Sequence, residues 1–220
     1  MSLIKKAVSN SMDIWKGYMK HPFIKELSTG ELSEERFKNY IIQDSLYLMD
    51  FARVYALGMY KSKTLKEIQN FYSILSFVNA DETATRIKYL NNWGITQEEI
   101  EGTEMKKENK DYAEFMLSIA LKEEIPEILM ATLPCMFSYN FIAEEIIKEN
   151  PQVQSTKYWD FIKDYSSESY KECCVQWATY ADELCQEMDE VRQKALVEIF
   201  KNASIHEMNF WDMSYFKFNK

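Results

Sequence analysis

Apolar residues recur at three- and four-residue intervals along much of the chain, the spacing of a helical face. Leu3, Ala7, Ile14 and Tyr18 predict a first helix over about 3–19, which His21-Pro22 breaks. A short segment from Phe23 to Leu27 follows and ends in Ser28-Thr29-Gly30, where Gly30 supplies the left-handed conformation that closes a helix. Ser33 is a predicted N-cap, with Glu34 and Glu35 at the positive end of a helix reaching Lys61. Thr64 caps a further helix predicted to reach Asn91. Asn92-Trp93-Gly94 then punctuates the chain before a capping box at Thr96–Glu99. Residues 101–110 are charged and read as a surface connection, and further helices are predicted over 111–121, 126–149, 156–165, 169–188 and 191–216. No fixed-period repeat suggests a solenoid. The expected fold is all-α, a helical bundle in a single domain over residues 1–220.

Three of these helices carry a polar residue where packing would favour an apolar one, and an unpartnered buried polar group costs stability. After Ser33 the stripe reads Phe37, Tyr40, Ile41, Asp44, Leu48, Phe51 and Tyr55. Asp44 is either functional, paired with a buried lysine, arginine or tyrosine, or at the wet edge of the stripe. In the 126–149 helix Ile128, Thr132, Cys135, Tyr139 and Ile146 share a face, with Cys135 directly below Tyr139. Pro134 removes one helical hydrogen bond beside the thiol and is expected to bend the axis. Cys135 is either a nucleophile or a small core residue. The last helix sets Glu207 among Leu196, Phe200, Ala203 and Phe210 or Trp211, where burial would raise its pKa toward neutrality, unless it faces solvent at a twist of the bundle.

Composition narrows the options. Glycine and proline number only 5 and 4, which favours helices. The net charge of −9 would repel nucleic-acid phosphates and anionic lipid headgroups, so neither nucleic acid nor membrane is an expected partner. No run approaches eighteen apolar residues, and the opening Met-Ser-Leu-Ile-Lys-Lys has no signal-peptide core, so a cytoplasmic location is expected. The cysteines, Cys135, Cys173, Cys174 and Cys185, form no C-x-x-C pair and suggest free thiols. Tyr18 and Ala203 stand three residues before the two histidines, His21 and His206, so the paired Glu-x-x-His of a di-iron site is missing, as are phosphate-binding glycine motifs. No metal and no organic cofactor is expected. Aromatics at 15% fit a large core or a pocket that stacks a flat ring.

His21-Pro22-Phe23-Ile24, Gly30-Glu31-Leu32, Phe37, Tyr40, Gln43-Asp44, Tyr47-Leu48 and Phe51-Ala52 together resemble the N-terminal signature of the TenA (thiaminase II) family. Tyr112, Leu133-Pro134-Cys135 with Tyr139, Trp159 with Tyr165, and Glu207 with Phe210-Trp211-Asp212-Met213 continue the resemblance in order along almost the whole chain. It implies a haem-oxygenase-like fold, a homotetramer, and hydrolysis of thiamine or of the aminopyrimidines released when thiamine degrades. By position, Asp44 would hold the exocyclic amine and adjacent ring nitrogen of the pyrimidine, with Tyr47 and other aromatics, Phe210 among them, stacking on it. Tyr139 would bond the other ring nitrogen, Cys135 would attack, Glu207 would move protons, and Tyr112 and Tyr165 would line or support the pocket. Ser45 and Phe137 depart from the family pattern, where an aromatic and a tryptophan are common, which bears on pocket shape. Two other readings stand beside this one: a haem-binding protein of the same fold using His21, and a non-catalytic aminopyrimidine-binding or regulatory module.

Overall fold

Side-chain caps open several of the helices. Ser2 accepts a hydrogen bond from the Lys5 amide and opens α1 (Leu3–Lys20). His21 ends α1, and its Nδ1 accepts from the Phe23 amide at 3.1 Å to open α2 (Pro22–Thr29), where Pro22 occupies a turn that needs no N–H. Gly30, at φ 81°, closes α2 as expected, and Ser33 caps α3 (Glu34–Lys61). The chain continues through α4 (Leu65–Ala80), α5 (Glu82–Asn92), the capping-box helix α6 (Gln97–Glu101), α7 (Lys107–Lys122), α8 (Ile125–Glu149), α9 (Trp159–Ser166), α10 (Glu168–Leu184) and α11 (Glu190–Phe216). The computed structural model describes residues 1–80 and 82–217, and only the backbone at 76–80 and 82–83. Asp81, inside the predicted 64–91 helix, and residues 218–220 of the predicted domain lie outside the described residues. Among the described residues there are eleven α-helices and no strand.

Three expectations shift. The connection after α6 is shorter than predicted because Gln43, buried on α3, accepts from the Lys106 amide at 2.9 Å and donates to the Glu104 carbonyl at 3.0 Å, which pins the segment so that α7 starts at Lys107. The 156–165 helix starts only at Trp159, after a 3₁₀ turn over Pro151–Ser155, since Thr156 turns its hydroxyl back to the Val153 carbonyl. The 169–188 helix stops at Leu184 with Cys185 as its C-cap, and residues 185–187 form a turn ahead of the N-cap Asp189 of α11.

The core is organised around α8, which packs against α11, α7, α9 and α10. Ten consecutive residues, Ile125 to Pro134, are buried, so this helix is covered on every side. Length and hydropathy alone would let α8 cross a membrane, but 78% of its most apolar window is buried inside the protein, so core packing accounts for its composition. Pro134 is accommodated within a continuous α8. α11 lies between α8 and α1, where Ser204 joins it to α1 by accepting from Trp15 Nε1 at 3.1 Å while its carbonyl accepts from Tyr18. Both ring nitrogens of His21 are engaged, with Nε2 3.2 Å from Asp212 of α11, so the histidine named by the haem reading serves as a cap and a tie.

α3 and α4 approach closely where Gly58 meets the fully buried Phe71 ring: a Cβ on residue 58 would lie 2.4 Å from Phe71 Cε1. Alanine gains about 1 kcal/mol of helix propensity over glycine. Overpacking against a buried ring costs about 1–3 kcal/mol. Gly58→Ala should therefore lower the urea midpoint with little change in m; an unchanged or raised midpoint would show that α4 yields freely.

Candidate active site

Asp44, Cys135 and Glu207 come from three helices, α3, α8 and α11, and the packing draws them to one region. A narrow pocket opens between α3, α4, α5, α8, α9 and α10, with Asp44, Arg86, Cys135, Tyr139, Tyr165 and Tyr170 as its polar or reactive lining and Leu48, Phe51, Ile74 and Met136 completing the wall. The four-residue spacing that puts Cys135 under Tyr139 on α8 delivers both to this pocket. Asp44 is buried on the α3 stripe, as is Tyr40 one turn before it, and Tyr40 Oη lies 2.9 Å from Tyr139 Oη. Tyr139 and Tyr165 rings pack at 4.9 Å.

The two buried carboxyls are treated differently. Asp44 is paired with Arg86 of α5, whose Nε and Nη2 lie 3.1 and 3.0 Å from Oδ2. Burial raises the Asp44 pKa, and the guanidinium opposes that rise. Glu207 is 2% exposed, and among the described residues no cation acts on its charge. Burial pushes its carboxyl up from 4.5 to about 7; the Tyr112 hydroxyl and the Cys135 thiol pull it back, and the charge on Asp44 adds to the rise. Tyr112 and Cys135 are close enough to act on that charge, yet Glu207 Oε1 and Tyr112 Oη close no hydrogen bond of normal geometry. A carboxyl near pKa 7 beside a thiol is suited to donating and accepting a proton at neutral pH. Burial also raises Tyr40, Tyr47, Tyr112 and Tyr139 well above 10, so each stays a neutral hydroxyl.

Of the residues singled out in the sequence, Asp44, Cys135, Tyr139 and Tyr165 line the pocket. Glu207, Tyr112 and Tyr47 form an adjoining buried layer: Tyr47 and Tyr112 rings are 5.0 Å apart, and both hydroxyls feel the charges of Glu207 and Cys135. Phe210 packs edge-on against Tyr47 and Tyr40 at 5.9 Å and does not reach the lining. Arg86 was missed. Its one sequence signal is Asp44 itself, since a buried carboxylate demands a partner, and Arg86 lies in the 64–91 segment, whose pattern predicts only a helix. Tyr170 was missed because α10 carries no polar interruption pointing to it. Among the described residues no group of three or more His, Cys, Asp or Glu side chains is placed to hold a metal ion.

The profile of the family described as TENA/THI-4/PQQC matches residues 9–217. The chain belongs to this family. Within the TENA/THI-4/PQQC family it is 31% identical over 216 residues to a protein of Helicobacter pylori named aminopyrimidine aminohydrolase, covering 98% of this chain and 99% of that one. A solved structure described as a TenA homologue from P. horikoshii OT3 superposes with a TM-score of 0.86 at 29% identity, covering 98% of this chain and 99% of the other. A domain with a heme oxygenase-like fold from Shewanella denitrificans aligns with a TM-score of 0.74 at 13% identity over 98% of this chain and 93% of that one, which identifies the fold class.

The raised Glu207 pKa has a signed consequence for stability. A carboxyl at 4.5 when unfolded and about 7 when folded contributes stability that is fully present below pH 4.5 and is lost as pH rises through 7. The full shift corresponds to about 3 kcal/mol. Glu207→Gln has no such titration, so between pH 4.5 and about pH 8 the stability difference should move toward the variant by up to that amount. Parallel pH profiles for the two proteins would show that Glu207 is not a raised carboxyl.

Proposed function

We propose that the protein hydrolyses an aminopyrimidine, either 4-amino-5-aminomethyl-2-methylpyrimidine or thiamine, to the hydroxymethylpyrimidine through a covalent adduct on Cys135, a thiamine-salvage reaction. The observation that carries this reading is the pairing of a pocket-lining thiol with a buried carboxyl of pKa about 7, with the acceptor Asp44 in the same pocket. The activity named for the Helicobacter pylori relative supports it.

A leaving group on the methylene of an aromatic pyrimidine departs slowly. Addition of the Cys135 thiolate to the unsubstituted ring carbon forms a C–S bond, dearomatises the ring and lets its electron pair expel the leaving group from the methylene. The thiol proton passes to Glu207, which gives it to a departing amine. Water then adds to the exocyclic methylene as Glu207 takes its proton, and the C–S bond breaks to restore the aromatic ring and the thiolate. Asp44 accepts from the exocyclic amine, Tyr139 donates to a ring nitrogen, Tyr165, Tyr47 and Phe210 build the aromatic surround, and Tyr112 steadies the Glu207 carboxyl. No metal or organic cofactor enters these steps.

The protein is proposed to act in the cytoplasm as a homotetramer. Leu65, Ile68 and Tyr72 lie on one face of α4 and are 70%, 38% and 66% exposed, an apolar stripe suited to self-association.

Cys135→Ser should keep the fold and lower turnover by roughly three or more powers of ten, measured on both substrates. Retention of a tenth of the wild-type rate would remove Cys135 as nucleophile. For Glu207→Gln, turnover should fall by roughly two to four powers of ten. The aminomethyl compound, whose amine needs a proton, should lose more than thiamine, whose thiazolium leaves as a neutral thiazole. Equal losses would assign Glu207 to water activation, and undiminished rates would remove it from the reaction.

A further inference from the structure

We infer that Arg86 donates to the ring nitrogen adjacent to the substrate's exocyclic amine, so that Asp44 and Arg86 together read the amine and that nitrogen as one donor–acceptor edge. Arg86 is then a specificity-determining residue, and the inference rests on the reading of the pocket as an aminopyrimidine site.

The argument begins with what each group can offer. A neutral 4-aminopyrimidine presents an N–H donor on its amine and a lone pair on the neighbouring ring nitrogen. A carboxylate only accepts. Asp44 alone could satisfy both positions only if a proton were added to the ring or to the acid itself. The Arg86 guanidinium puts a fixed positive charge 3.0 and 3.1 Å from Asp44 Oδ2, which disfavours an added proton on the carboxylate and on a ring seated against it. The same guanidinium supplies the donor that the carboxylate lacks.

Geometry supports this division of roles. Nε and Nη2 of Arg86 both meet Asp44 at Oδ2, and Oδ1 lies outside that pair. Arg86 and Asp44 are both buried, at 8% and 6% exposed, and both line the pocket. A guanidinium carries five N–H donors in a planar fork, so it can hold a carboxylate and address a coplanar ring edge beside it. Leu48, Phe51 and Ile74 on the same wall limit competition from water. Tyr139 is not needed for this nitrogen, since its hydroxyl is placed against Tyr40 and remains for the other one.

The test is a binding cycle with the unreactive hydroxymethyl aminopyrimidine and its pyridine counterpart, in which CH replaces the nitrogen beside the amine. Wild type should favour the pyrimidine by roughly ten- to a hundredfold, the range for a charge-assisted hydrogen bond. Arg86→Met should weaken pyrimidine binding by a similar factor and discriminate between the two compounds less than threefold. A merely structural role for Arg86 would weaken both compounds alike and leave the preference intact, which would overturn the inference. If the Met variant does not fold, the pH dependence of wild-type binding serves instead: affinity for the pyrimidine that rises as pH falls through the ring's own pKa would show a protonated ring held by Asp44 and overturn the inference. If wild type binds the pyrimidine without preferring it, the inference fails while the aminopyrimidine reading stands. If wild type binds neither compound, both fail together.

Discussion

A carboxyl group inside a helical core must acquire either a cation or a proton, because the bare charge cannot be sustained there. Both solutions occur in this protein within one region. Asp44 takes the Arg86 guanidinium, and Glu207 takes a raised pKa of about 7. The chemistry of the site depends on that difference. One acid is held beside a fixed cation, and the other is placed to titrate near neutral pH. The two also sense each other, since the charge on Asp44 helps to hold the proton on Glu207.

The helical framework serves this arrangement through three long elements. α3, α8 and α11 contribute Asp44, Cys135 and Glu207, and each presents its residue from within an apolar stripe that fixes its direction. Aromatic side chains do most of the filling: Tyr40 lies near-parallel to Trp211 at 5.5 Å, and Tyr47, Tyr112 and Phe210 form a layer beneath the pocket. Their hydroxyls remain protonated at any physiological pH, so the layer supplies neutral donors without adding charge to a site that already holds two acids.

Much of this was legible in the sequence, for identifiable reasons. Helix starts at Ser33 and Thr96 and the stop at Gly30 are local decisions of caps and backbone freedom, and a local pattern reports them directly. Asp44, Cys135 and Glu207 stood out because each breaks an apolar stripe. Arg86 did not, since an arginine on a charged, amphipathic segment looks solvent-exposed until the docking of α5 against α3 and α9 puts it on Asp44. The short 3₁₀ turn at Pro151–Ser155 and the early end of α10 at Leu184 were likewise out of reach, because side chain–backbone bonds and packing set those boundaries.

The burial of α8 on every side also bears on how the chain reaches its fold during synthesis. Its main cover, α11, ends at Phe216, 67 residues after Glu149 closes α8. At about 5–20 residues per second, that separation amounts to roughly 3–13 s on a translating ribosome. Throughout that interval the most apolar helix of the protein lacks the surface that will enclose it. A nascent chain of this design therefore presents its greatest demand on chaperones between the synthesis of α8 and that of α11.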